Sequence, residues 1–221
     1  MTTYLITGSN RGIGLEYCRQ LKGRGEEVIA TCRNSSLELD QLGIQVETGI
    51  DVTSGNSVLN LIRNLKGRKI DVLIQNAGIH ESNLISNLDP ESILRQFEVN
   101  ALSPLCFTSA MIGNLSEGAK VILMSSRMGS IEDNTSGGSY GYRMSKVALG
   151  MAGKSLSIDL APKGIAVAIL HPGLVSTQMT RFTSEGIKPE ESVKGLIKRI
   201  DSLTVENTGR FLHSSGERLP W

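Results

Sequence analysis

Short, nearly unbroken apolar runs alternate with longer amphipathic stretches along the chain. "TYLIT" (3–7), "EVIATC" (27–32), "IQVETGIDV" (44–52), "IDVLIQN" (70–76), "AKVILMSS" (119–126) and "IAVAILH" (165–171) read as strands, with a last short one near "GRFLH". Between them, apolar positions recurring at helical spacing predict helices over 12–24, 57–67, 90–113, 140–161 and 189–203. Asp89 before Pro90 suits a capped first turn, and Pro162 with Gly164 stops the helix that begins at 140. The strands are runs of Val, Ile and Leu without polar alternation, which implies burial on both faces of a parallel sheet. Strands and helices alternating in this way predict a doubly wound α/β fold with a mostly parallel sheet of about seven strands. No repeat, linker or low-complexity tract divides residues 1–221, so one domain is expected.

Composition narrows the partners. A net charge of +1 and the lack of a basic run give no field to attract nucleic acid or anionic lipid. No apolar run is long enough to span a membrane, and "MTTYLITG" lacks the charged start of a signal peptide, so a cytoplasmic location is expected. Cys18, Cys32 and Cys106 are odd in number and far apart, and read as small buried hydrophobes in a reducing compartment. His80, His171 and His213 lack the spacing of a zinc site, and no metal is expected.

"TGSNRGIG" (7–14) follows the first strand and opens the first helix. Gly8, Gly12 and Gly14 supply a sharp turn, close backbone approach to a pyrophosphate and tight helix–strand packing, the three uses of glycine in a Rossmann-type nucleotide site. The helix amino end adds partial positive charge. A carboxylate after the second strand would hold the ribose of NAD, yet "ATCRN" (30–34) offers none beside Arg33. Arg33, with Arg11 inside the glycine loop, instead suits the 2′-phosphate of NADP.

"SYGYRMSK" (139–146) holds two of the four tyrosines. On a helix, i and i+4 share a face, so Lys146 can stand beside Tyr142, whereas Tyr140 is followed at that spacing by Met144. An unperturbed phenol, near pKa 10, is a poor acid–base at neutrality. A cation at roughly 4–5 Å is worth about 3–4 kcal/mol at an effective dielectric near 20, enough to lower that pKa by about two to three before desolvation opposes it. Taken alone, the pair reads equally as a packed phenol beside a solvated ammonium. "SSRMG" (125–129), at the end of a central strand, adds serine hydroxyls able to orient a carbonyl oxygen, or simply to cap the strand end.

In order and over essentially its whole length, the chain resembles the short-chain dehydrogenase/reductases. "TGSNRGIG" resembles their cofactor loop, which extends the nucleotide contacts to Ser9, Asn10 and Ile13. "DVT" (51–53) implies adenine contacts from Asp51 and Val52, and "QNAG" (75–78) implies Asn76, Ala77 and Gly78 along the adenosine side. "VNALSP" (99–104) places Asn100 as a catalytic asparagine on a water-linked proton path to the lysine. "SSRMG" implies Ser126, and "YRMSK" implies Tyr142 and Lys146, the last two also touching the cofactor. "PGLVST" (172–177) implies that Pro172, Gly173, Val175 and Thr177 lie at the nicotinamide end.

Two departures stand out. Gln75 replaces an asparagine of the family pattern. Ser126 and Tyr142 are 16 positions apart, about three more than usual in the family, which lengthens the loop "SIEDNTSGG" (130–138) over the site. This loop and "GYRMSK" resemble the branch of C-factor and the sniffer-type carbonyl reductases. The resemblance implies an NADPH-dependent reductase of ketones, aldehydes or quinones, with Tyr142 donating the proton. The alternative is a C-factor-like dinucleotide-binding signalling protein with vestigial turnover. An extended epimerase is disfavoured, since too little chain follows Thr177 for a substrate domain. Met128, His80 and 174–188 are candidate pocket walls, open enough for small or flat substrates. Apolar residues on several sides of the two long helices (Ile93, Phe97, Leu105; Val147, Leu149, Leu156, Ile158) predict a homodimer or homotetramer.

Overall fold

β1 (Thr3–Thr7), β2 (Glu27–Thr31), β3 (Gln45–Glu47), β4 (Ile70–Gln75), β5 (Leu115–Met124), β6 (Ala166–His171) and β7 (Arg210–His213) form one sheet in a computed structural model that describes residues 1–221. All neighbours are parallel, in the order β3-β2-β1-β4-β5-β6-β7. The order reverses between β1 and β4, which opens a crevice above their carboxyl ends at Thr7 and Gln75.

Alternate side chains of each strand enter two separate cores. Tyr4 and Ile6 face one way, packed with Tyr17 and Leu21 of α1 (Gly12–Gly23) and Leu196 and Ile200 of α7 (Pro189–Asp201). Leu5 faces the other, with Leu61 of α3 (Gly55–Leu65), Phe107 of α5 (Ser103–Met111) and Leu149 and Leu156 of α6 (Tyr140–Leu160). This two-sided burial is what the unbroken apolar runs require.

Two predicted elements differ, and one short helix was not expected. The third strand is only Gln45–Glu47, because Gly49 turns the chain at φ +71 and Ser57 Oγ takes up the Asp51 N–H. A one-turn helix α2 (Leu37–Asp40), capped by Ser36, is too short to leave a periodic signal. The helix expected over 90–113 is divided into α4 (Pro90–Phe97), capped by Asp89, and α5, with a wider π turn at Glu98–Leu102 between them. Cys18 and Cys32 are buried as expected, but Cys106 is exposed, since α5 turns it away from the sheet.

Candidate active site

The glycine loop has the shape of a phosphate cradle. Gly8 (φ +67) and Gly12 (φ +56) take left-handed backbone, which a side chain would strain. A Cβ on Gly8 would come within 2.9 Å of Ala77 Cα, and one on Gly14 would overlap the Gly8 carbonyl. Arg11 occupies the N-cap of α1 without giving a side-chain hydrogen bond, so the first-turn N–H groups of Gly12, Ile13 and Gly14 stay open to an anion. A dinucleotide pyrophosphate fits these donors. Ser9 is buried, its Oγ donating to the Ile6 carbonyl, and sets the turn rather than facing a ligand.

Asn76 holds this loop from β4. Its Nδ2 donates to the carbonyls of Thr7 (3.0 Å) and Gly8 (3.1 Å), while Thr7 Oγ1 accepts the N–H groups of Asn76 and Ala77. The amide expected along the adenosine side is thus spent on bracing the cradle. Gln75, the departure from the family pattern, reaches Thr108 among buried side chains. Arg11 and Arg33 are both exposed. Asp51 accepts the Thr53 N–H and hydroxyl, which hold its carboxyl below the usual range, with the charge of Arg33 adding to them. Arg33 and Asp51 therefore share one rim of the crevice.

The π turn places Asn100, fully buried, at the centre of the site. Its Oδ1 accepts the Ile79 N–H (2.9 Å), and its Nδ2 donates to the Ile79 carbonyl (2.9 Å) and to Ser145 Oγ (3.0 Å). Ser145 in turn donates to the Tyr142 carbonyl (2.7 Å). A Cβ on Gly78 would stand 3.1 Å from Asn100 Oδ1 and 3.8 Å from Lys146 Nζ, so glycine there keeps the space between amide and amine clear.

Ser126 caps a short turn, Arg127–Gly129, by accepting the Met128 N–H at 3.2 Å. Its oxygen is an acceptor there, and its hydroxyl lies within hydrogen-bond reach of the Tyr142 phenol. Gly129 lets α6 approach, since a Cβ would meet the Lys146 backbone at 2.9 Å. The expected electrostatics are corrected. Lys146 is buried and donates to the Met124 carbonyl (2.8 Å), with its Nζ 5.7 Å from the centre of the Tyr142 ring. Burial pushes the Tyr142 phenol up to about 12, opposed by the Ser126 side chain, and pushes Lys146 down to about 8. Desolvation, rather than the neighbouring cation, dominates both groups.

Around these groups, His80 meets the Tyr142 ring edge-on at 4.7 Å between centroids. Burial, then the charge of Arg181, keeps this imidazole below its ordinary pKa. The 172–177 loop closes the other side. Pro172 O accepts from Ser192 Oγ (2.6 Å), Gly173 takes φ +88 beside His213, Val175 is buried, and the Thr177 methyl lies 3.6 Å from where a Gly12 Cβ would be. This loop therefore reaches the glycine cradle through Thr177. Tyr140 is 37% exposed and makes no side-chain hydrogen bond to these groups. His80 was a candidate pocket wall from sequence, and its edge contact with Tyr142 places it beside the site; two contributors had no sequence signal of their own, Thr7 inside the glycine motif and Ser145, one helical turn after Tyr142. No three His, Cys, Asp or Glu side chains converge as a metal site, and no helix is long and apolar enough to cross a membrane.

Comparison with known proteins agrees with this architecture. Residues 2–188 match the family described as short chain dehydrogenase. The 1-hydroxy-2-glutathionyl-2-methyl-3-butene dehydrogenase of Rhodococcus sp. (strain AD45) is 46% identical over 226 aligned residues, covering 100% of both chains. The C-signal of Myxococcus xanthus is 45% identical over 157 residues, 69% of this chain and 93% of that protein. Among solved structures, the NADPH-bound carbonyl reductase from chicken fatty liver has a TM-score of 0.91 at 29% identity, covering 100% of this chain and 99% of that one. The carbonyl reductase Sniffer of D. melanogaster has a TM-score of 0.91 at 31% identity, covering 100% of each. By sequence match, sheet order and shape, the chain belongs to the short-chain dehydrogenase/reductase family of oxidoreductases.

Proposed function

We propose that the protein is an NADPH-dependent oxidoreductase that reduces a ketone, aldehyde or quinone carbonyl to an alcohol, with Tyr142 as proton donor. The observation that carries this reading is the convergence of Ser126, Tyr142 and Lys146 beside a glycine cradle shaped for a dinucleotide.

The chain's residues divide the work by position. Gly8, Asn10, Arg11, Gly12, Ile13 and Gly14 would hold the pyrophosphate on the turn that buried Ser9 sets, and Arg11 with Arg33 would take the 2′-phosphate. Asp51, Val52, Asn76, Ala77 and Gly78 shape the adenosine side, and Pro172, Gly173, Val175 and Thr177 the nicotinamide end. A reduced nicotinamide held at that end would supply the hydride to the carbonyl carbon. Ser126 would donate a hydrogen bond from its hydroxyl to the substrate oxygen and orient it, keeping its own proton. Tyr142, still protonated at neutral pH, gives its proton to that oxygen as negative charge develops there. Lys146 keeps a positive charge near the phenol and contacts the cofactor ribose. Asn100 fixes the wall that carries His80 and leaves a passage to Lys146.

The relative from Rhodococcus acts on an alcohol bearing a glutathionyl thioether, so such alcohols and their aldehydes belong among the substrates to test. The similarity to C-signal favours a second reading, a dinucleotide-binding signalling protein with vestigial turnover. Retention of Asn100, Ser126, Tyr142 and Lys146 weighs against it, because a binder needs only the cradle and the arginines. Exposed Leu94, Phe97, Met151 and Ile158 on α4 and α6 support association into a homodimer or homotetramer.

A panel of carbonyl compounds, scored by NADPH consumption, tests the reading. Turnover with NADPH favoured over NADH is expected. Tight NADPH binding without turnover of any compound would favour the signalling protein.

A further inference from the structure

The segment after β7 folds back along that strand. Leu219 N–H donates to the Phe211 carbonyl (2.9 Å), and His213 N–H to the Glu217 carbonyl (2.8 Å). This brings Trp221 onto Phe211, ring centres 5.5 Å apart and nearly parallel, with its indole directly over Gly150 of α6. A Cβ on Gly150 would lie 3.2 Å from Trp221 Cζ3, so the bare helix surface there is the seat of the indole.

Seated in this way, the Trp221 carbonyl accepts the Glu132 N–H (3.1 Å) and the Ser130 hydroxyl (3.3 Å). Both donors belong to the long loop 130–138, which joins Ser126 to the helix of Tyr142. Glu217, in the same returning segment, pairs with Arg127 through both carboxylate oxygens (3.0 and 2.9 Å). From inside, Arg143 holds the loop's far end by donating to Ser136 Oγ (2.9 Å) and the Gly137 carbonyl (3.3 Å). Across the loop, Gly138 approaches Leu84 of the segment after His80. A loop this long would otherwise have many conformations beside the reacting groups.

We propose that Trp221 is a positioning residue for loop 130–138, fixing the wall that decides which carbonyl compounds fit beside Tyr142. The proposal rests on the reading that this crevice is the substrate site. It gives Trp221 no part in the chemistry, since the indole lies on the outer side of α6, against Gly150. Its effect belongs on substrate fit, hence on KM, rather than on proton transfer.

Two variants test it on the NADPH-loaded protein. Trp221→Ala removes the indole that places the carbonyl. Gly150→Ala nudges the indole while favouring the helix, so folding is retained. Faster amide hydrogen exchange within 130–136 is expected in both. KM for bulky carbonyl substrates should rise roughly three- to tenfold in Trp221→Ala, the loss of one or two hydrogen bonds, with kcat within about twofold. The rise should be smaller in Gly150→Ala. Unchanged exchange in both variants, or a fall in kcat at constant KM, would overturn the proposal. Exchange is read without substrate, so a chain that turns over no carbonyl compound still decides the loop question; where Trp221→Ala does not fold, Gly150→Ala decides it.

Discussion

The side-chain amide of Asn100 holds both backbone groups of Ile79, accepting its N–H and donating to its carbonyl, each at 2.9 Å. A five-residue π turn inside a long helix turns this side chain toward β4 instead of leaving it in register with the helix face. Ile79 in turn fixes the backbone of His80, which packs on Tyr142. Asn100 therefore shapes the site through backbone, with no direct contact to Lys146. Asn100→Ala leaves the part-buried N–H and carbonyl of Ile79 unpaired and removes one of the two partners of Ser145 Oγ, and is expected to cost about 2–3 kcal/mol of stability. Chemical denaturation reads this loss directly, and turnover should fall with it; a variant as stable as the parent would show that water replaces the amide.

The proposed preference for NADPH rests on the two exposed arginines. Arg33→Ala is expected to weaken NADPH binding roughly tenfold, the worth of one charge-assisted contact, and to leave NADH binding nearly unchanged. Titration of the two cofactors against parent and variant checks this. Equal losses for both would remove the 2′-phosphate from the account.

The pH dependence follows from the phenol's burial. With Tyr142 at about 12, the proton is present for carbonyl reduction throughout the neutral range, whereas alcohol oxidation needs the rare phenolate. Between about pH 5 and 7, well below the value of about 8 at which Lys146 loses its charge, reduction should be flat and oxidation should rise by about tenfold per pH unit. Initial rates in both directions distinguish this from a phenol tuned near neutrality, for which oxidation would level off.

Acid stability should depend on His171. Burial first, then the charges of His213 and Arg127, holds this imidazole at about 3, and its Nδ1 has no hydrogen-bond partner. The unfolded chain takes up this proton below about pH 6.5, and the folded chain does not until about pH 3. Stability is therefore lost as pH falls through that window. The denaturation midpoint should drop less steeply with acid in His171→Phe than in the parent; identical slopes would place the acid sensitivity elsewhere.

Much of this was legible in the order of residues. Apolar runs located the inner strands β1, β2, β4, β5 and β6, since burial on both sheet faces forbids polar alternation, whereas the half-exposed edge strand β3 is much shorter than its run; TGSNRGIG marked the cradle because its turns need glycine. The π turn was not legible: a helix over 90–113 satisfies the same apolar spacing, and one extra residue in a turn leaves no local signature. The i, i+4 spacing of Tyr142 and Lys146 correctly put both on one face of α6. It did not reveal that Lys146 Nζ bonds to Met124 or that burial outweighs its charge, because both depend on the neighbouring strand. The contacts of His80 and Trp221 join segments distant in the chain, and no local pattern records them.

The central claim is that Tyr142 delivers the proton. Single-turnover reduction of a reactive carbonyl compound, compared between the parent and Tyr142→Phe at saturating NADPH, tests it most directly. NADPH affinity within about twofold and a rate lower by roughly 10²–10⁴-fold are predicted. A variant that reduces the carbonyl at the parental rate would contradict the account.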